Sequence, residues 1–301
     1  MKKLILIYNP AAGTGNFPDY LDDFMQQFNH KYHIIIHRTR INPDGALDSL
    51  LQEVKENQSQ FSRLVVAGGD GTLNRVVNCM MEKEIDVPLA IIPAGTVNDF
   101  ATYLNMPQNF VECFTAIDEG YLQEVDVGKV EGRYFINVCV GGMFSEIAHK
   151  TDTAFKKQLG KMAYYLHGIK EFASFESLGV RVTTDREVIE EEIYLFLVLN
   201  SQRGGGFDHI SPGGKLDDGL FELVLVKADK IYKIVNLLIE VLQKRHFDNE
   251  NVICTRGNYF KIEITDARSG VKFTDIDGQK GPPFPLEISV IPRALTVIRN
   301  D

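Results

Sequence analysis

Continuous apolar runs alternate with helically spaced apolar positions over the first 120 residues of the chain. The runs predict four buried strands, over residues 4–8, 32–37, 64–67 and 89–92. The helical spacing predicts helices over residues 17–28, 72–81 and 97–104, and another that starts at Asn42-Pro43-Asp44 with Leu47, Leu50, Leu51 and Val54 on one face. This strand–helix order is typical of a parallel sheet covered by helices.

After about residue 122, strand patterns follow one another with few helices between them. They cover residues 125–130, 134–140, 179–184, 188–199, 220–226, 258–264, 271–274 and 284–291, with helical patterns over 155–175 and 231–245. Such runs favour an antiparallel sheet or sandwich. We therefore predict an α/β protein with a parallel-sheet domain over residues 1–122 and an antiparallel β-sandwich domain over residues 123–291. Whether residues 292–301 belong to the first domain is left open.

The composition narrows the class of protein. The chain has 301 residues, 44% of them hydrophobic and 24% charged, which excludes a disordered or fibrous chain. Its longest apolar run, Ile193–Leu199, is far shorter than the roughly 20 residues of a membrane-spanning helix. The N-terminal run is too short for a signal peptide, so we expect a cytoplasmic protein. The net charge of −9 disfavours a nucleic-acid partner, and the four scattered cysteines are typical of reduced, mostly buried thiols.

The loop Gly68-Gly69-Asp70-Gly71-Thr72 directly follows a predicted strand and precedes a predicted helix. Glycine lets the backbone turn tightly and approach a ligand, and the start of the helix, capped by the Thr72 hydroxyl, favours a phosphate. Asp70 would repel a phosphate unless Mg²⁺ lies between them or the carboxylate accepts a proton from a nucleophile. A tight turn with an incidental Asp is the structural alternative. The chain has neither a Rossmann nor a P-loop glycine pattern.

A second loop, Pro93 to Phe100, also follows a predicted strand and contains Gly95, Thr96, Asn98 and Asp99. Asp70 and Asp99 thus come at the carboxyl ends of two strands. Mg²⁺ keeps several waters and needs only one or two protein carboxylates, so this pair is a candidate magnesium site. The alternative is that Asn98 and Asp99 only cap a helix. The loop from Asn9 to Gly13 is a weaker signal of the same kind.

These loops resemble the diacylglycerol kinase catalytic-domain family, and more narrowly the soluble bacterial lipid kinases related to sphingosine kinases. The resemblance extends over nearly the whole chain. It rests on Asn9-Pro10 with Gly13, Gly68 to Asn74, Pro93 to Ala101, Val125 to Gly128, Leu159-Gly160-Lys161, Tyr164-Tyr165, Gly204 to Gly206, Ser211-Pro212, Leu216 to Leu220 and Asp277-Gly278. It implies a first domain like that of NAD kinases and phosphofructokinases, and transfer of the ATP γ-phosphate to a hydroxyl of a membrane lipid such as diacylglycerol, in phospholipid metabolism.

The resemblance also implies roles for individual residues. ATP would be bound by Asn9, Thr39, Gly68, Gly69, Asp70, Gly71, Thr72, Leu73, Asn74 and Thr96. A catalytic network with Mg²⁺ and water would contain Asp70, Asp99 and Asp126, and a second, structural Mg²⁺ would be held by Asp218 and the carbonyls of Lys215 and Leu220. Asp277 would serve as a base on the acceptor side. Considered without the resemblance, Asp126 is a solvated strand residue, and Asp218-Gly219 and Asp277-Gly278 are ordinary turns.

Two positions depart from the family pattern. Gln279 stands where the family has Glu after Asp-Gly, so the base would be Asp277 or Asp70, and Thr102 stands where relatives often have Arg. A kinase of a soluble acceptor such as NAD, and a non-catalytic nucleotide or lipid sensor, are therefore kept as alternatives. The segment from His149 to Lys170 holds five lysines and one acid, which suits either transient contact with an anionic membrane surface or a solvated helix face. Pairing of two subunits through an exposed sheet edge is left open.

Overall fold

A computed structural model of the chain describes residues 1–39, 45–142, 177–230, 243–266 and 274–301, with residues 233, 237, 240 and 241. The predicted helix start at Asn42, the helix over 155–175 with its lysine-rich segment, most of the helix over 231–245 and most of the strand over 271–274 lie outside these residues. The chain separates into two compact units. The first contains Met1–Val125 and Arg293–Asp301, and the second contains Asp126–Pro292.

The first unit is built on a parallel sheet. Its strands are β1 (Lys3–Tyr8), β2 (His33–Arg38), β3 (Phe61–Gly68) and β4 (Leu89–Pro93), in the order β2-β1-β3-β4. The end of the chain adds to this sheet, because Val297 pairs in parallel with Leu89. Residues Leu4 to Ile7 of β1 are fully buried, as expected for an inner parallel strand covered on both faces. The edge strand β2 is less buried, and Ile36 is exposed.

Helices flank these strands in the first unit. They are α1 (Leu21–Phe28), which follows a 3₁₀ turn over Phe17–Tyr20, α2 (Ala46–Glu56), α3 (Asp70–Glu82), α4 (Asp99–Tyr103) and α5 (Phe110–Glu119); a second 3₁₀ turn covers Gln58–Gln60. Helix α2 buries Leu47, Leu51 and Val54, three of the four residues predicted on its apolar face. Helix α5 was not predicted, although Asn109 caps it by accepting hydrogen bonds from the backbone of Val111 and Glu112.

The second unit is antiparallel. Its strands are β5 (Tyr121–Val130, from Asp126 onward), β6 (Arg133–Phe135), β7 (Val138–Gly142), β8 (Leu178–Thr184), β9 (Val188–Leu199), β10 (Phe221–Lys227), β11 (Val252–Gly257), β12 (Tyr259–Ile264), β13 (Asp275–Ile276), β14 (Gln279–Lys280) and β15 (Leu286–Arg299, as far as Pro292), with a 3₁₀ turn at His246–Asp248. Strand β9 is central, because it pairs antiparallel with β7, β8 and β10. The hydrophobic core of the second unit contains Phe135, Phe196, Phe221 and Phe260, all fully buried.

The order of a parallel sheet followed by antiparallel strands confirms the predicted fold class. One local prediction is wrong, and one strand lies where no element is predicted. The strand predicted over residues 134–140 is two strands, β6 and β7, interrupted at Ile136 and Asn137, and β11 was not predicted. All four cysteines are free; burial raises the pKa of the Cys113 thiol to about 12. Among the described residues, no helix is long and apolar enough to cross a membrane.

Candidate functional site

The loops after β1 and β3 lie where the strand order of the first unit reverses. The order β2-β1-β3-β4 places β2 on one side of β1 and β3 on the other. In open parallel sheets, ligands bind outside the carboxyl ends of the strands at such a reversal. Asn9 follows β1 here, and the glycine-rich loop closes β3. The topology alone therefore indicates these loops as the candidate site of the first unit.

Asn9 connects the two loops. Its backbone N–H donates to the carbonyl of Ala67 over 2.9 Å, and its side-chain Nδ2 donates to Oγ1 of Thr72 over 3.1 Å. Its Oδ1 accepts from the N–H of Ala11 over 3.0 Å, which closes the turn after β1. A single side chain thus fixes the first loop to the first turn of α3.

Helix α3 begins at Asp70, with Gly69 at the N-cap position and no side-chain cap. The prediction that Thr72 starts and caps this helix is therefore wrong. Thr72 lies in the first turn, and its hydroxyl accepts the Asn9 amide instead. The first N–H groups of an α-helix have no partner within the helix and favour an anion. Phosphate binding at this helix start therefore stays a prediction.

Gly69 and Gly95 allow the loops after β3 and β4 to touch. A Cβ on Gly95 would lie 2.3 Å from the Cα of Gly69 and 2.7 Å from Oδ1 of Asn98. Real Cβ atoms do not approach other atoms so closely, so any side chain at Gly95 would force the loops apart. Neither glycine has a positive φ. They are needed here for the close approach of two backbones, and not for a special turn conformation.

Asp70 bridges the same two loops. Its Oδ2 accepts the N–H of Asn98 over 3.0 Å, and Asn98 adopts a left-handed conformation with φ of 55°. The Asn98 side chain closes its own loop through two hydrogen bonds with the backbone of Gly95. Asp99 follows as the first residue of α4 and is buried. The two carboxylates predicted to share Mg²⁺ therefore lie in loops that are in direct contact.

The other predicted ATP ligands of the first unit differ in exposure. Thr96 is exposed, Gly71 and Thr39 are half-buried, and Thr39 donates its N–H to the carbonyl of Tyr8 over 2.9 Å. Leu73 and Asn74 are buried in α3, and the Asn74 side chain accepts from Asn78. The N–H of Leu73 donates to the carbonyl of Gly69 over 3.1 Å, and a contact of Leu73 with a nucleotide stays a prediction. Gly68 is buried against Thr72.

In the second unit, Asp126 is fully buried, contrary to the solvated strand position that the alternation indicates. Its N–H donates to the carbonyl of Leu216 over 2.5 Å, and its Oδ2 accepts the N–H of Gly219 over 2.7 Å. Asp126 therefore holds the turn that contains Asp218. Sequence alternation failed here because residues 125–128 of β5 are all buried, so this part of the strand is covered on both faces.

Asp218 pairs with a cation supplied by the chain itself. Nη2 of Arg256 lies 2.5 Å from Oδ2 of Asp218, and Nε of Arg256 lies 2.7 Å from Oε1 of Glu222. Glu222 is buried, and this burial raises the pKa of its carboxyl group although Arg256 acts in the opposite direction. The other oxygen of Asp218 accepts the N–H of Leu220. A structural Mg²⁺ at Asp218 with the carbonyls of Lys215 and Leu220 stays a prediction.

Asp277 is buried in the turn of the β13–β14 hairpin. Asp277 and Gly278 have φ of 49° and 79°, as in the two-residue turn that an Asp-Gly pair favours. Its Oδ2 accepts the N–H of Ile136 over 2.8 Å, and its Oδ1 accepts those of Asn137 and Val138 over 3.0 and 2.8 Å. These bonds hold the interruption between β6 and β7. Gln279, after the turn, is exposed.

Sequence reasoning missed several residues that organise these sites. Arg256 and Glu222 form the ion pair at Asp218, and Asn200 contacts the backbone of Asp126. Asn200 directly follows the longest apolar run of the chain, which is the one signal that marks it. Among the described residues, no group of three or more His, Cys, Asp or Glu side chains is arranged to hold a metal ion.

Comparisons with known proteins find a matching family model for each of the two parts of the chain. Residues 3–130 match the family model of the diacylglycerol kinase catalytic domain, and residues 138–299 match that of the YegS C-terminal NAD kinase beta sandwich-like domain. A protein of Bacillus subtilis named diacylglycerol kinase is 30% identical over 99% of this chain and 96% of its own length. The chain belongs to the diacylglycerol kinase catalytic-domain family.

Other members of this family also match this chain over nearly its whole length. A diacylglycerol kinase of Staphylococcus carnosus is 30% identical over 94% of this chain and 90% of its own length. The crystal structure of a diacylglycerol kinase from Bacillus anthracis aligns with a TM-score of 0.81 at 30% identity, covering 99% of this chain and 97% of that one. The family relationship confirms the predicted β-sandwich character of the second half and makes this protein a member of a lipid kinase family.

Proposed function

We propose that this protein transfers the γ-phosphate of ATP to a hydroxyl group of a membrane lipid of the diacylglycerol class. The observation that carries the proposal is the contact between the loops after β3 and β4, where Asp70 accepts the N–H of Asn98 directly before Asp99. This contact joins a helix start suited to phosphate with two carboxylates suited to Mg²⁺. Membership of the kinase family supports the same reaction.

The nucleotide side of the reaction belongs to the first unit in this proposal. The loop after β3 and the start of α3 would hold the phosphates through backbone N–H groups, supported by Asn9, Thr39 and Thr96. Asp70 and Asp99 supply hard oxygen ligands of the type that Mg²⁺ takes. When bound, Mg²⁺ would neutralise charge on the transferring phosphate. Without a metal ion, Asp70 and Asp99 would repel the nucleotide.

The chemical step needs a proton acceptor. The lipid hydroxyl oxygen forms a bond to the γ-phosphorus, the bond from that phosphorus to the β–γ bridging oxygen breaks, and ADP leaves with the bond pair. The hydroxyl proton passes to a carboxylate. Three backbone donors engage both oxygens of Asp277, so the structure favours Asp70 as the base. Asp126 is kept as the third carboxylate of the predicted catalytic network.

The acceptor is proposed to be a lipid, with the protein in the cytoplasm and in transient contact with the inner face of the membrane. The relatives named diacylglycerol kinase support this assignment, because the chain matches them along nearly their whole length. Phosphorylation of NAD is the second candidate, since the second family model is described as NAD kinase beta sandwich-like. Both acceptors offer a hydroxyl to the same phosphate donor.

The test is transfer of labelled γ-phosphate from ATP with Mg²⁺. Purified protein is incubated with diacylglycerol, phosphatidylglycerol, a polyprenol or a sphingoid base in mixed micelles, and separately with NAD. A labelled lipid, absent when Mg²⁺ is chelated, is the expected product and would identify the acceptor. Labelled NADP with no labelled lipid would replace the proposal with the second candidate. ATP binding with no transfer to any acceptor would indicate a sensor.

A further inference from the structure

Asn200 occupies a buried position between two of the predicted catalytic residues of the second unit. It follows the last residue of β9 and is fully buried. Its Nδ2 donates to the carbonyl of Asp126 over 2.7 Å and to the carbonyl of Ile136 over 2.8 Å. Two carbonyl acceptors define the orientation of the amide, because only the NH₂ group of Asn can donate to both.

Both backbone groups of Ile136 form hydrogen bonds to side chains. Its carbonyl accepts from Asn200, and its N–H donates to Oδ2 of Asp277 over 2.8 Å. The backbone N–H of Asn200 also donates to the carbonyl of Asn137 over 2.9 Å, and the N–H of Asp277 donates to the carbonyl of Val138 over 3.0 Å. A continuous path of short hydrogen bonds therefore runs from Asp126 through Asn200 and residues 136–138 to Asp277.

The amide of Asn200 meets a requirement that few side chains can meet. Its Oδ1 is buried and has no hydrogen-bond partner among the described residues, which is unfavourable. A hydroxyl in this place has one donor hydrogen and can serve only one carbonyl, and an ionised carboxylate has none. The position therefore uses Asn for its two donor hydrogens, at the cost of an unpaired oxygen.

We infer that Asn200 is a positioning residue, which sets the backbone of Asp126 relative to the turn that contains Asp277. The inference rests on the proposed function, because it assumes that Asp126 acts in phosphoryl transfer. Asp126 in turn holds the turn at Gly219. Loss of the Asn200 amide should therefore loosen Gly219 on one side and residues 136–138 on the other.

The substitution Asn200→Asp tests this with almost no change in side-chain volume. The new carboxyl has at most one donor hydrogen, which it keeps only when burial holds it protonated, so at least one of the two carbonyls of Asp126 and Ile136 loses its donor. The control is Ser201→Ala, which removes the hydrogen bond from Ser201 Oγ to Oδ1 of Asn137 over 2.8 Å and the bonds of this hydroxyl with the backbone of Arg203, and leaves both bonds of the Asn200 amide in place. Asn200→Ser keeps one donor and serves as a second variant if Asn200→Asp does not fold.

Two readouts separate this inference from the proposed function. Amide hydrogen exchange should become roughly tenfold faster at Gly219, Ile136 and Val138 in the Asn200 variant that folds and stay within about threefold in Ser201→Ala. In the phosphate transfer assay, kcat should fall at least roughly tenfold while KM for ATP changes by less than about threefold. Unchanged exchange at these amides, or wild-type kcat in a folded variant, would overturn the inference. If amide exchange is faster in the Asn200 variant but the wild-type protein transfers no phosphate to any acceptor, the coupling through Asn200 stands and the proposed function is refuted.

Discussion

The contact between Gly69 and Gly95 makes Gly95→Ala an informative perturbation of the candidate ATP site. The new methyl group would lie 2.3 Å from Gly69 Cα and 2.7 Å from Asn98 Oδ1. Ordinary carbon–carbon contacts are about 3.5–4.0 Å, so the two loops must separate by roughly 1 Å or more. Overpacking of this kind costs about 1–3 kcal/mol of folding free energy.

The same displacement should weaken nucleotide binding more than it weakens the fold. A shift of about 1 Å in positioning groups can cost roughly 100-fold in rate. Hence we expect Gly95→Ala to unfold at lower urea concentration, to bind ATP at least about tenfold more weakly and to lose most phosphate transfer.

A matched control introduces backbone strain of similar cost at a residue of the second unit, in the turn between β5 and β6. Gly132 has φ of 79°, and the space that a Cβ would occupy there is open. Ala at Gly132 should therefore cost about 1–2 kcal/mol for its left-handed conformation and leave ATP affinity unchanged. Urea denaturation gives the stability of both variants, and titration calorimetry gives their ATP affinity. Wild-type ATP affinity in Gly95→Ala would refute the assignment of phosphate binding to these two loops.

Two further substitutions test other parts of the structure. Replacing Arg256 with Met leaves the buried Glu222 without its cation, so stability should fall by about 3–5 kcal/mol near neutral pH. Burial raises the pKa of Glu222 and Arg256 lowers it, so the carboxyl is protonated more readily in the variant. The loss of stability should therefore shrink as the pH of the urea titration is lowered. An equal loss of stability at all pH values would contradict the role given to Arg256. Gln279→Glu restores the family carboxylate at an exposed position, so stability should change by less than about 0.5 kcal/mol. If a carboxylate at this position can act as the base, kcat should rise, and an unchanged kcat would contradict a base at position 279.

The parallel half of the fold was predictable because its signals are local. Inner parallel strands are covered on both faces, so β1, β3 and β4 appear in the sequence as unbroken apolar runs. The glycine-rich loops follow these strands directly, which located the candidate site without any tertiary information. Helix α5 has an equally local signal in its N-cap residue, Asn109.

Other features depend on contacts between residues far apart in the sequence. The break between β6 and β7 is stabilised by hydrogen bonds to Asp277, about 140 residues away in the sequence. No sequence pattern near Ile136 predicts this break. Asp126 alternates like a solvated strand residue, yet it is buried with the turn at Gly219. Helix α3 starts at Asp70 and not at Thr72, because the carbonyl of Gly69 already accepts the N–H of Leu73, and the Thr72 hydroxyl accepts from Asn9 in place of capping the helix.

Asp70 is proposed to act in phosphoryl transfer to a lipid. The most direct test compares wild type with Asp70→Asn, which keeps the size of the side chain and an oxygen able to accept the N–H of Asn98. Labelled γ-phosphate transfer to the lipid accepted by the wild type is measured at saturating ATP, with urea denaturation as the control for folding. We predict a folded Asp70→Asn protein whose transfer rate is lower by at least about 100-fold. A folded variant that labels the lipid at the wild-type rate would contradict the claim.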